Sequence, residues 1–452
     1  MKRVVIIGAG ESGTGAALLA LTKGYDVFVS EKGSVKEEYK QELVKNKIAF
    51  EEGTHTSELI LNADLVIKSP GIPEKAEIIQ KVVEKGIEVI DEIEFGFRHL
   101  IGKVIAITGT NGKTTTTLLT YHLLKEGGYK VALAGNVGES LARKVIDGYD
   151  WYVTEVSSYQ LDGTNTFKPT IGVLLNITPD HLDRYGYNLQ NYINSKFQLT
   201  WNMDENDSFI YYKEDANVSA EMIKRTITSA QYPISLSGAK TPAYFDGKKM
   251  NFSIGDMSFE ISQNDTTLKG PHNLINTMAA VTAAVLAGVD VENIHKGLKT
   301  FKNAPHRLEP VGTINGVEFI NDSKATNVDS VVYALGSFEK PLIWIAGGVD
   351  KGNDYNLIKE QVKQKVKTLI CLGTDNTKLT SFFQGVVPTI LETQNVKELV
   401  KLAIDNARKG DVVLLSPACA SFDLFKNYID RGDQFRAAVQ ELKREQENTI
   451  EA

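Results

Sequence analysis

Short apolar runs alternate with helical patterns along most of this chain. The runs Val4–Ile7, Val104–Ile107 and Leu342–Ala346 each end in a turn that is rich in glycine and polar residues. In the stretches that separate such runs, apolar residues recur at i, i+3 and i+4, which is typical of helices with one buried face. This alternation predicts an α/β fold in which parallel sheets are covered by helices.

Changes in this pattern divide the chain into three parts. Beyond Asp207, short alternating runs at 244–245, 250–252 and 259–261 predict antiparallel hairpins joined to a parallel sheet. The length of 452 residues agrees with three domains of about 150 residues each. We predict three domains: a Rossmann-like N-terminal domain at 1–97, a central P-loop domain with a mixed sheet at 98–302, and a Rossmann-like C-terminal domain at 303–452.

Composition and charge narrow the class of protein. The formal net charge of −7 argues against a protein that coats nucleic acid. The two cysteines, Cys371 and Cys419, are too few for a disulfide framework or a metal cluster, and Cys371 lies in an apolar run that predicts burial. The apolar stretch 279–289 is too short to span a bilayer, and the run after Arg3 is too short for a secretory signal. We therefore expect a cytoplasmic protein without nucleic-acid or membrane partners.

The most informative motif is VIAITGTNGKTTTT, which begins at Val104. It predicts a strand, a glycine-rich turn and the start of a helix, where backbone N–H groups and the helix dipole favour an anion. Lys113 supplies a cation for the β- and γ-phosphates, and the Thr114 hydroxyl can hold Mg²⁺. The motif departs from G-x-x-x-x-G-K-[ST] because Ile107 occupies the first glycine position. The context predicts an ATP or GTP site, the alternative being a turn that binds no ligand.

A second phosphate-binding pattern lies near the N-terminus. Gly8, Gly10 and Gly13 form G-x-G-x-x-G after a predicted strand, and Glu31 follows the next strand at a spacing that suits a ribose hydroxyl. Alone, this fingerprint indicates only that a nucleotide can sit on the first helix. The turn at 69–73 also follows a strand, at the sheet edge where open α/β sheets bind ligands.

Two further segments of the central part place charged side chains after strands. Glu155 lies at the carboxyl end of the strand predicted at 152–156, where it is either a metal ligand or a surface residue of a loop. The segment 180–184 (DHLDR) follows the next strand and can bind metal, orient a substrate or cap a helix.

Lys196 lies on an apolar stripe of a predicted helix at 188–200. A buried, unpaired lysine is costly and its pKa falls readily, and a neutral amine can react with CO₂ to give an anionic carbamate. The sequence alone favours the simpler alternative, in which the stem packs and the ammonium reaches water.

The third part contains four loops at predicted strand ends, each crowded with polar side chains. They lie at 305–309, 321–327, 347–352 and 416–423. Each loop by itself can be a turn or a helix cap, but together they predict a second site for an anionic ligand.

The ordered motifs resemble the Mur ligase family, and among its members the D-glutamate-adding ligases. The matching segments run from Gly8 to about Phe435 and include GTNGKT, EVSSYQL, TPDHLDRY, Lys196, GPHNLIN, PHRLE, NDSKATN, GGVDKG and SPACASFDLFKNYIDRG. The resemblance implies a UDP-binding domain, a central ATPase domain and a C-terminal domain that receives the amino acid. It also implies formation of an acyl phosphate from ATP, attack by D-glutamate on this intermediate, and UDP-N-acetylmuramoyl-L-alanine as the acceptor substrate.

The same resemblance implies roles for individual residues. It implies a catalytic group of Lys113, Glu155, His181 and a carbamylated Lys196, and two Mg²⁺ ions held by Thr114, Glu155, His181 and Lys196. The implied ATP contacts are Thr110, Asn111, Gly112, Lys113, Thr114, Thr115, Thr116, Asn273, Asn276, Arg307, Asp322 and Lys324. The implied UDP-substrate contacts are Gly10, Ser12, Glu31, Lys32, Ser69, Gly71 and Asn136. The implied D-glutamate contacts are Thr326, Lys351, Ser421 and Tyr428. We expect a monomer.

Other functions compete with this one. An amide ligase with a different substrate, such as an L-alanine-adding or folylpolyglutamate enzyme, shares the scaffold. A dehydrogenase, or a nucleotide-binding module without catalysis, would explain the segment from Gly8 to Glu31, but it would not need Lys113 or Lys196.

Overall fold

The computed structural model describes residues 1–238 and 241–451, and in these ranges it contains three β-sheets with helices packed on them. The first sheet is parallel throughout and has the strand order β3-β2-β1-β4-β5. Its strands are β1 Arg3–Ile7, β2 Asp26–Glu31, β3 Ala49–Glu52, β4 Leu65–Lys68 and β5 Glu88–Asp91. Its helices are α1 Glu11–Thr22, α2 Glu37–Lys45, α3 Ser57–Ile60, α4 Glu77–Glu84 and α5 Glu92–His99.

Strand β1 shows why this sheet needs helices on both faces. Val4 and Ile6 pack into one apolar cluster, while Val5 and Ile7 pack into another on the opposite face. Because side chains alternate between faces of a strand, a continuous apolar run implies burial on both sides. The predicted parallel sheet is confirmed for this part of the chain.

The second sheet is mixed, with the order β14-β13-β12-β11-β10-β9-β6-β8-β7. Its strands are β6 Lys103–Thr108, β7 Val131–Gly135, β8 Trp151–Glu155, β9 Ile171–Leu174, β10 Ser208–Tyr212, β11 Ala230–Ser235, β12 Ala243–Phe245, β13 Lys249–Ile254 and β14 Met257–Ser262. Strands β12, β13 and β14 pair antiparallel, so the hairpins predicted beyond Asp207 are confirmed. The helices here are α6 Lys113–Glu126, α7 Leu141–Asp147, α8 Ser158–Leu161, α9 Leu189–Phe197, α10 Ala216–Lys224, α11 Pro271–Ala287 and α12 Val291–Thr300, with short 3-10 turns at Gln198–Thr200 and Gln263–Asp265.

The third sheet has the order β15-β16-β20-β17-β18-β19, and only its edge strand β15 is antiparallel to its neighbour. Its strands are β15 Glu309–Ile314, β16 Val317–Asn321, β17 Leu342–Gly347, β18 Val366–Leu372, β19 Thr389–Thr393 and β20 Val412–Ala418. Its helices are α13 Val328–Gly336, α14 Lys359–Lys365, α15 Thr377–Phe383, α16 Val396–Asp405 and α17 Tyr428–Glu451, with a 3-10 turn at Tyr355–Ile358. Cys371 is buried in this core as predicted, and its thiol is free.

The chain forms two compact units. One unit contains residues 1–267 and 274–301 and therefore the first two sheets; the other contains residues 268–273 and 302–452. Inside the first unit, Arg143 of α7 donates to Glu11 of α1 and to Glu42 of α2, which joins the first sheet's helices to the second sheet. No helix in the described ranges is long and apolar enough to cross a membrane.

Candidate active site

The glycine-rich turn after β6 is held in shape by Asn176. The Asn111 N–H donates to Asn176 Oδ1 at 2.8 Å, and Asn176 Nδ2 donates to the Asn111 carbonyl oxygen at 3.0 Å. Gly112 has φ +85°, and a Cβ there would lie 2.3 Å from Asn276 Oδ1. Glycine is therefore required at this position, both by the left-handed backbone and by the close approach of α11.

Lys113, the first residue of α6, folds back onto this turn. Its Nζ donates to the carbonyl oxygens of Gly109 and Thr110 at 2.8 and 2.9 Å. The Thr110 hydroxyl bonds the Thr178 carbonyl, and the Thr116 hydroxyl donates to Asn276 Oδ1 at 3.2 Å. The turn thus places an ammonium group and a helix N-terminus together, which is the arrangement that binds phosphate.

Glu155 ends β8 beside this turn and is buried. Its Oε1 accepts from Asn136 Nδ2 at 2.8 Å, whereas its Oε2 has no hydrogen-bonding partner among the described residues. A buried carboxylate oxygen without a partner is costly, and a cation bound at this site would remove that cost.

Lys196 is 1% exposed, so its ammonium does not reach water. The Nζ donates to the Gly109 carbonyl oxygen at 2.9 Å and lies 4.6 Å from the centre of the Tyr192 ring. Burial, with the charge of Lys113 as a second cause, lowers the pKa of Lys196 well below its ordinary value. The snorkelling that the sequence alone favours is therefore wrong, and the residue presents an amine to the phosphate-binding turn.

His181 occupies a strained position in the loop between β9 and α9. Its backbone φ is +52°, its side chain is half exposed, and its ring lies 5.2 Å from the Tyr159 ring. Arg184 of the same loop stacks 3.9 Å above Tyr159 and donates to the Pro70 carbonyl at 2.9 Å. Through Arg184, this loop therefore connects Tyr159, which follows β8 of the second sheet, with the turn that follows β4 of the first sheet.

A pocket of about 720 Å³ lies at the carboxyl edge of the first sheet. It contains five of the seven predicted UDP-substrate residues: Gly10, Glu31, Lys32, Ser69 and Gly71. Ser12 on α1 and Asn136 after β7 do not line it. The Glu31 carboxylate accepts the N–H groups of Ala9 and Gly33 at 2.9 and 2.8 Å, so it already braces the glycine-rich turn.

In the second unit, the polar loops gather at the carboxyl ends of β16, β17 and β20. Asp322 is buried, accepts from the Ser416 hydroxyl at 2.9 Å, and has its pKa raised by burial to about 7. Lys324 Nζ lies 3.8 Å above the Tyr428 ring. Thr326 is half-buried, Ser421 is buried and Lys351 is exposed.

Comparison with known proteins shows the family. Residues 3–78 match the MurD N-terminal domain, residues 107–284 the Mur ligase middle domain, and residues 306–419 the glutamate ligase domain of Mur ligases. The UDP-N-acetylmuramoylalanine–D-glutamate ligase of Cytophaga hutchinsonii is 52% identical over 446 residues, which cover 98% of this chain and 99% of that protein. The chain belongs to the Mur ligase family.

Other Mur ligases agree with this assignment. The UDP-N-acetylmuramoylalanine–D-glutamate ligase of Christiangramia forsetii is 48% identical over 443 residues, 98% of this chain and 100% of that protein. The crystal structure of UDP-N-acetylmuramate–alanine ligase MurC from Thermotoga maritima has a TM-score of 0.63 at 17% identity and covers 98% of this chain and 100% of that one. This likeness confirms the predicted three-domain α/β fold of a Mur ligase.

Two of the residues predicted around ATP lie in the first two turns of α11. Asn276 contacts the phosphate-binding turn as described, and Asn273 Nδ2 donates to the Lys269 carbonyl at 2.8 Å. Thr115 and Thr116 are buried, while Thr114 and Arg307 are half-buried. Lys113 and Thr114 are the first two residues of α6, at the helix N-terminus, where an anion is favoured.

One arginine of the Mur ligase fold was not predicted from the sequence. Arg431 is 1% exposed, and its guanidinium donates to the Ser323 hydroxyl and carbonyl at 3.0 and 2.9 Å, and to the Cys419 and Gly347 carbonyls at 3.3 and 3.4 Å. It thereby fixes three polar loops of the third sheet at once. Its position in the motif IDRG gave no sign of this, because two of the three loops, those of Ser323 and Gly347, are 108 and 84 positions away.

Proposed function

We propose that this protein is an ATP-dependent ligase that joins D-glutamate to UDP-N-acetylmuramoyl-L-alanine, with release of ADP and phosphate. The observation that carries the proposal is full-length identity of 52% and 48% to ligases with these substrates, together with the MurD N-terminal domain at residues 3–78. The reaction belongs to peptidoglycan precursor synthesis, so we place the protein in the cytoplasm. We further propose a monomer with domains at 1–97, 98–302 and 303–452.

The chemistry begins at a carboxylate, which is a poor electrophile. One oxygen of the alanyl carboxylate attacks the γ-phosphorus, the bond to the β–γ bridging oxygen breaks, and ADP leaves. The amine of D-glutamate then attacks the acyl carbon and loses a proton, and the tetrahedral intermediate collapses with phosphate as leaving group. The protein's task is to position these groups and neutralise their charge.

Lys113 performs that task at the phosphates. In the structure its ammonium donates to the Gly109 and Thr110 carbonyls, and phosphate oxygens of bound ATP take over as acceptors. In the second unit, Arg307, Asp322 and Lys324 are the proposed nucleotide contacts. Thr326, Lys351, Ser421 and Tyr428 hold D-glutamate, since hydroxyl and ammonium donors suit its two carboxylates.

Magnesium fits the oxygen donors near the phosphate-binding turn. Mg²⁺ prefers oxygen ligands and is often held by one or two carboxylates together with substrate phosphates. Glu155 offers a buried oxygen without a partner, and Thr114 offers a hydroxyl. Among the described residues, no group of three His, Cys, Asp or Glu side chains is placed to hold a metal ion. When bound, the ion neutralises phosphate charge; we propose two ions, with His181 and carbamylated Lys196 as further ligands.

The carbamate forms when the neutral Lys196 amine adds to the carbon of CO₂ and releases a proton. Burial beside Lys113 favours the neutral amine that this addition needs. The product is an anion whose oxygens suit a hard cation, in contrast to the ammonium that it replaces.

The test is release of phosphate with UDP-N-acetylmuramoyl-L-alanine, ATP and a panel of amino acids. We expect D-glutamate to support turnover with formation of the amide, and L-glutamate and L-alanine to support almost none. Lys113→Ala should abolish the activity, because it removes the phosphate-binding cation. Equal turnover with L-alanine would contradict the proposed substrate.

A further inference from the structure

The pocket of the first sheet has two distinguishable ends. Near its middle lie Gly8 and Gly10, which follow β1 and precede α1. One end contains the loop after β4, including Ser69 and Gly71. The opposite end contains the segment Gly53–His55 after β3, because β2 and β3 lie on the other side of β1.

If the proposed function holds, on which this inference rests, the substrate can lie in the pocket in only one orientation. Its diphosphate suits the start of α1, where backbone N–H groups point outwards. Its alanyl carboxylate must reach Lys113, and the loop after β4 is the end of the pocket that is tied to the second sheet, through the bond from Arg184 to the Pro70 carbonyl. The uracil base must therefore lie at the opposite end, beside His55.

A relay of hydrogen bonds that joins Glu51, Ser30 and His55 fixes the tautomer of the His55 ring. The Ser30 hydroxyl oxygen lies 2.6 Å from Glu51 Oε1 and 2.7 Å from His55 Nδ1. Burial acts to raise the pKa of Glu51, but hydrogen bonds from Ser30 and Thr56 outweigh it and lower that pKa. The carboxylate is therefore ionised and only accepts, so it takes the single Ser30 hydrogen, and the Ser30 oxygen must accept from His55 Nδ1–H.

This relay leaves His55 Nε2 as an acceptor. The pKa of His55 is lowered by burial, which keeps the ring neutral at pH 7, and a neutral ring with a proton on Nδ1 carries a lone pair on Nε2. His55 lines the pocket, and among the described residues its ring forms a hydrogen bond through Nδ1, to Ser30, and none through Nε2. A ligand group that donates a hydrogen can therefore bind there.

We propose that His55 reads the base of the UDP-substrate by accepting the uracil N3–H at Nε2, and that Ser30 and Glu51 are positioning residues that hold the required tautomer. Cytosine has a lone pair instead of a hydrogen at N3. Two acceptors then face each other, so the pocket should reject cytidine nucleotides. The relay thus supplies base specificity to a pocket whose other contacts suit any nucleoside diphosphate.

The test compares UDP and CDP as ligands of the full-length protein by calorimetry. We expect the wild-type protein to bind UDP at least about tenfold more tightly than CDP, the order of effect that one unmatched buried hydrogen-bonding group produces. His55→Ala should weaken UDP binding and bring the ratio of the two dissociation constants close to one. Ser30→Ala and Glu51→Gln should reduce the ratio in part, because the ring then samples both tautomers.

Two further measurements are controls for nonspecific effects of the substitutions. His99→Ala removes a histidine that contacts Tyr25 and Phe95 outside the pocket and should leave the ratio unchanged. Nitrogen-15 spectra of the wild-type protein should show His55 with its proton on Nδ1, and a shift of its Nε2 resonance on addition of UDP but not CDP. This second readout does not depend on any variant folding.

The possible outcomes separate this inference from the proposed function. Absence of turnover with UDP-N-acetylmuramoyl-L-alanine in the wild-type protein would overturn the function. Normal turnover, with a UDP-to-CDP ratio that His55→Ala leaves intact, would overturn the role of His55 alone. Equal weakening of UDP and CDP by His55→Ala would assign the residue to ribose or phosphate and would also overturn it.

Discussion

The amine of Lys196 combines two properties that rarely occur together in a protein. It is almost completely buried, and its hydrogen-bond acceptor among the described residues is a backbone carbonyl, that of Gly109. An ammonium in such a place is costly, so the group gains by losing its proton or by becoming an anion that binds a cation. Both routes lead to the carbamate that the proposed mechanism uses.

Replacement of this residue tests that role. Lys196→Ala should reduce turnover by several orders of magnitude while the protein stays folded, because the neighbours Tyr192, Ile193 and Phe197 remain buried and apolar. Acetate should restore part of the activity, since a small carboxylate can occupy the volume of the lost carbamate. The measurement is ATP turnover across an acetate series at fixed ionic strength, which keeps screening constant.

The matched control is Lys213→Ala, which removes an exposed lysine of the same unit. Its activity should equal that of the wild-type protein and should not respond to acetate. Full activity of Lys196→Ala would exclude a catalytic role, and stimulation of both variants by acetate would exclude specific rescue.

At this scale the sequence predicted the local position of a residue better than it predicted the residue's surroundings. Helical spacing placed Lys196 on an apolar stripe, but its depth depends on Gly109, which is 87 positions away. His55 and Arg431 were missed for the same reason: their partners are 25 and 108 positions away, and no short motif marks them. Periodicity reports which face a residue is on, and not what the rest of the chain places against it.

Helix α5 carries two buried glutamates with opposite behaviour. Glu92 accepts from the Ala142 N–H with one oxygen and has no partner for the other among the described residues, and burial raises its pKa to about 8. Glu94 accepts from Thr166, Phe167 and Arg98; although burial acts to raise its pKa, these bonds and others lower it. The helix therefore carries one carboxyl that is neutral in the folded protein and one that is charged.

Glu92→Gln should stabilise the protein increasingly as the pH rises. The unfolded state ionises Glu92 near pH 4.5 and the folded state only near pH 8, so the wild type loses up to about 1.4 kcal/mol per pH unit between these values. Glutamine has no proton to lose and avoids this loss. Denaturant unfolding at pH 5, 6.5 and 8 should show a stability difference that is near zero at pH 5 and grows to a few kcal/mol.

Glu94→Gln is the matched control on the same helix, and its effect has the opposite sign. The lowered pKa of Glu94 means that its contribution is present above pH 4.5 and is lost as the pH falls through the folded-state value. This variant should be less stable than the wild type at pH 8. A constant difference at all pH values for Glu92→Gln would show that the buried carboxyl is charged in the folded state.

The elements themselves follow closely from the sequence. The strand runs at 4–7, 104–107 and 342–346 lie within β1, β6 and β17, and the helix predicted at 188–200 ends in a 3-10 turn after Phe197. Strand β15 at the edge of the third sheet was not predicted, since it contains the exposed Pro310 and the half-buried Gly312 and lacks an apolar run. Edge strands are buried on fewer sides, so they leave a weaker pattern.

At the scale of the whole molecule, one short segment packs with a different unit from the residues that flank it in sequence. Residues 268–273 belong to the unit of the third sheet, although the residues on either side belong to the other unit. In that segment His272 is half-buried and its ring lies 5.5 Å from the Tyr333 ring. The sequence cannot predict to which unit this segment belongs, because a short polar loop has no hydrophobic periodicity that would indicate the core against which it packs.

Separate cores lead to a prediction about unfolding. The apolar cluster around Tyr152 takes its members from the first unit, and that around Trp344 takes its members from the second. We therefore expect two calorimetric transitions. UDP, which the proposal places on the first sheet, should raise only the transition of the first unit, by about 2.7 kcal/mol of stability at a hundredfold excess over its dissociation constant.

Variants assign the two transitions. Glu94→Gln should lower the transition that UDP raises, and Val413→Ala, which removes buried methyl groups from the third sheet, should lower the other. D-glutamate, whose proposed residues all belong to the second unit, should raise the transition that Val413→Ala lowers. A single transition that responds equally to both ligands and both variants would show that the two units unfold together, and a rise in the second unit's transition with UDP alone would contradict the proposed placement of the nucleotide.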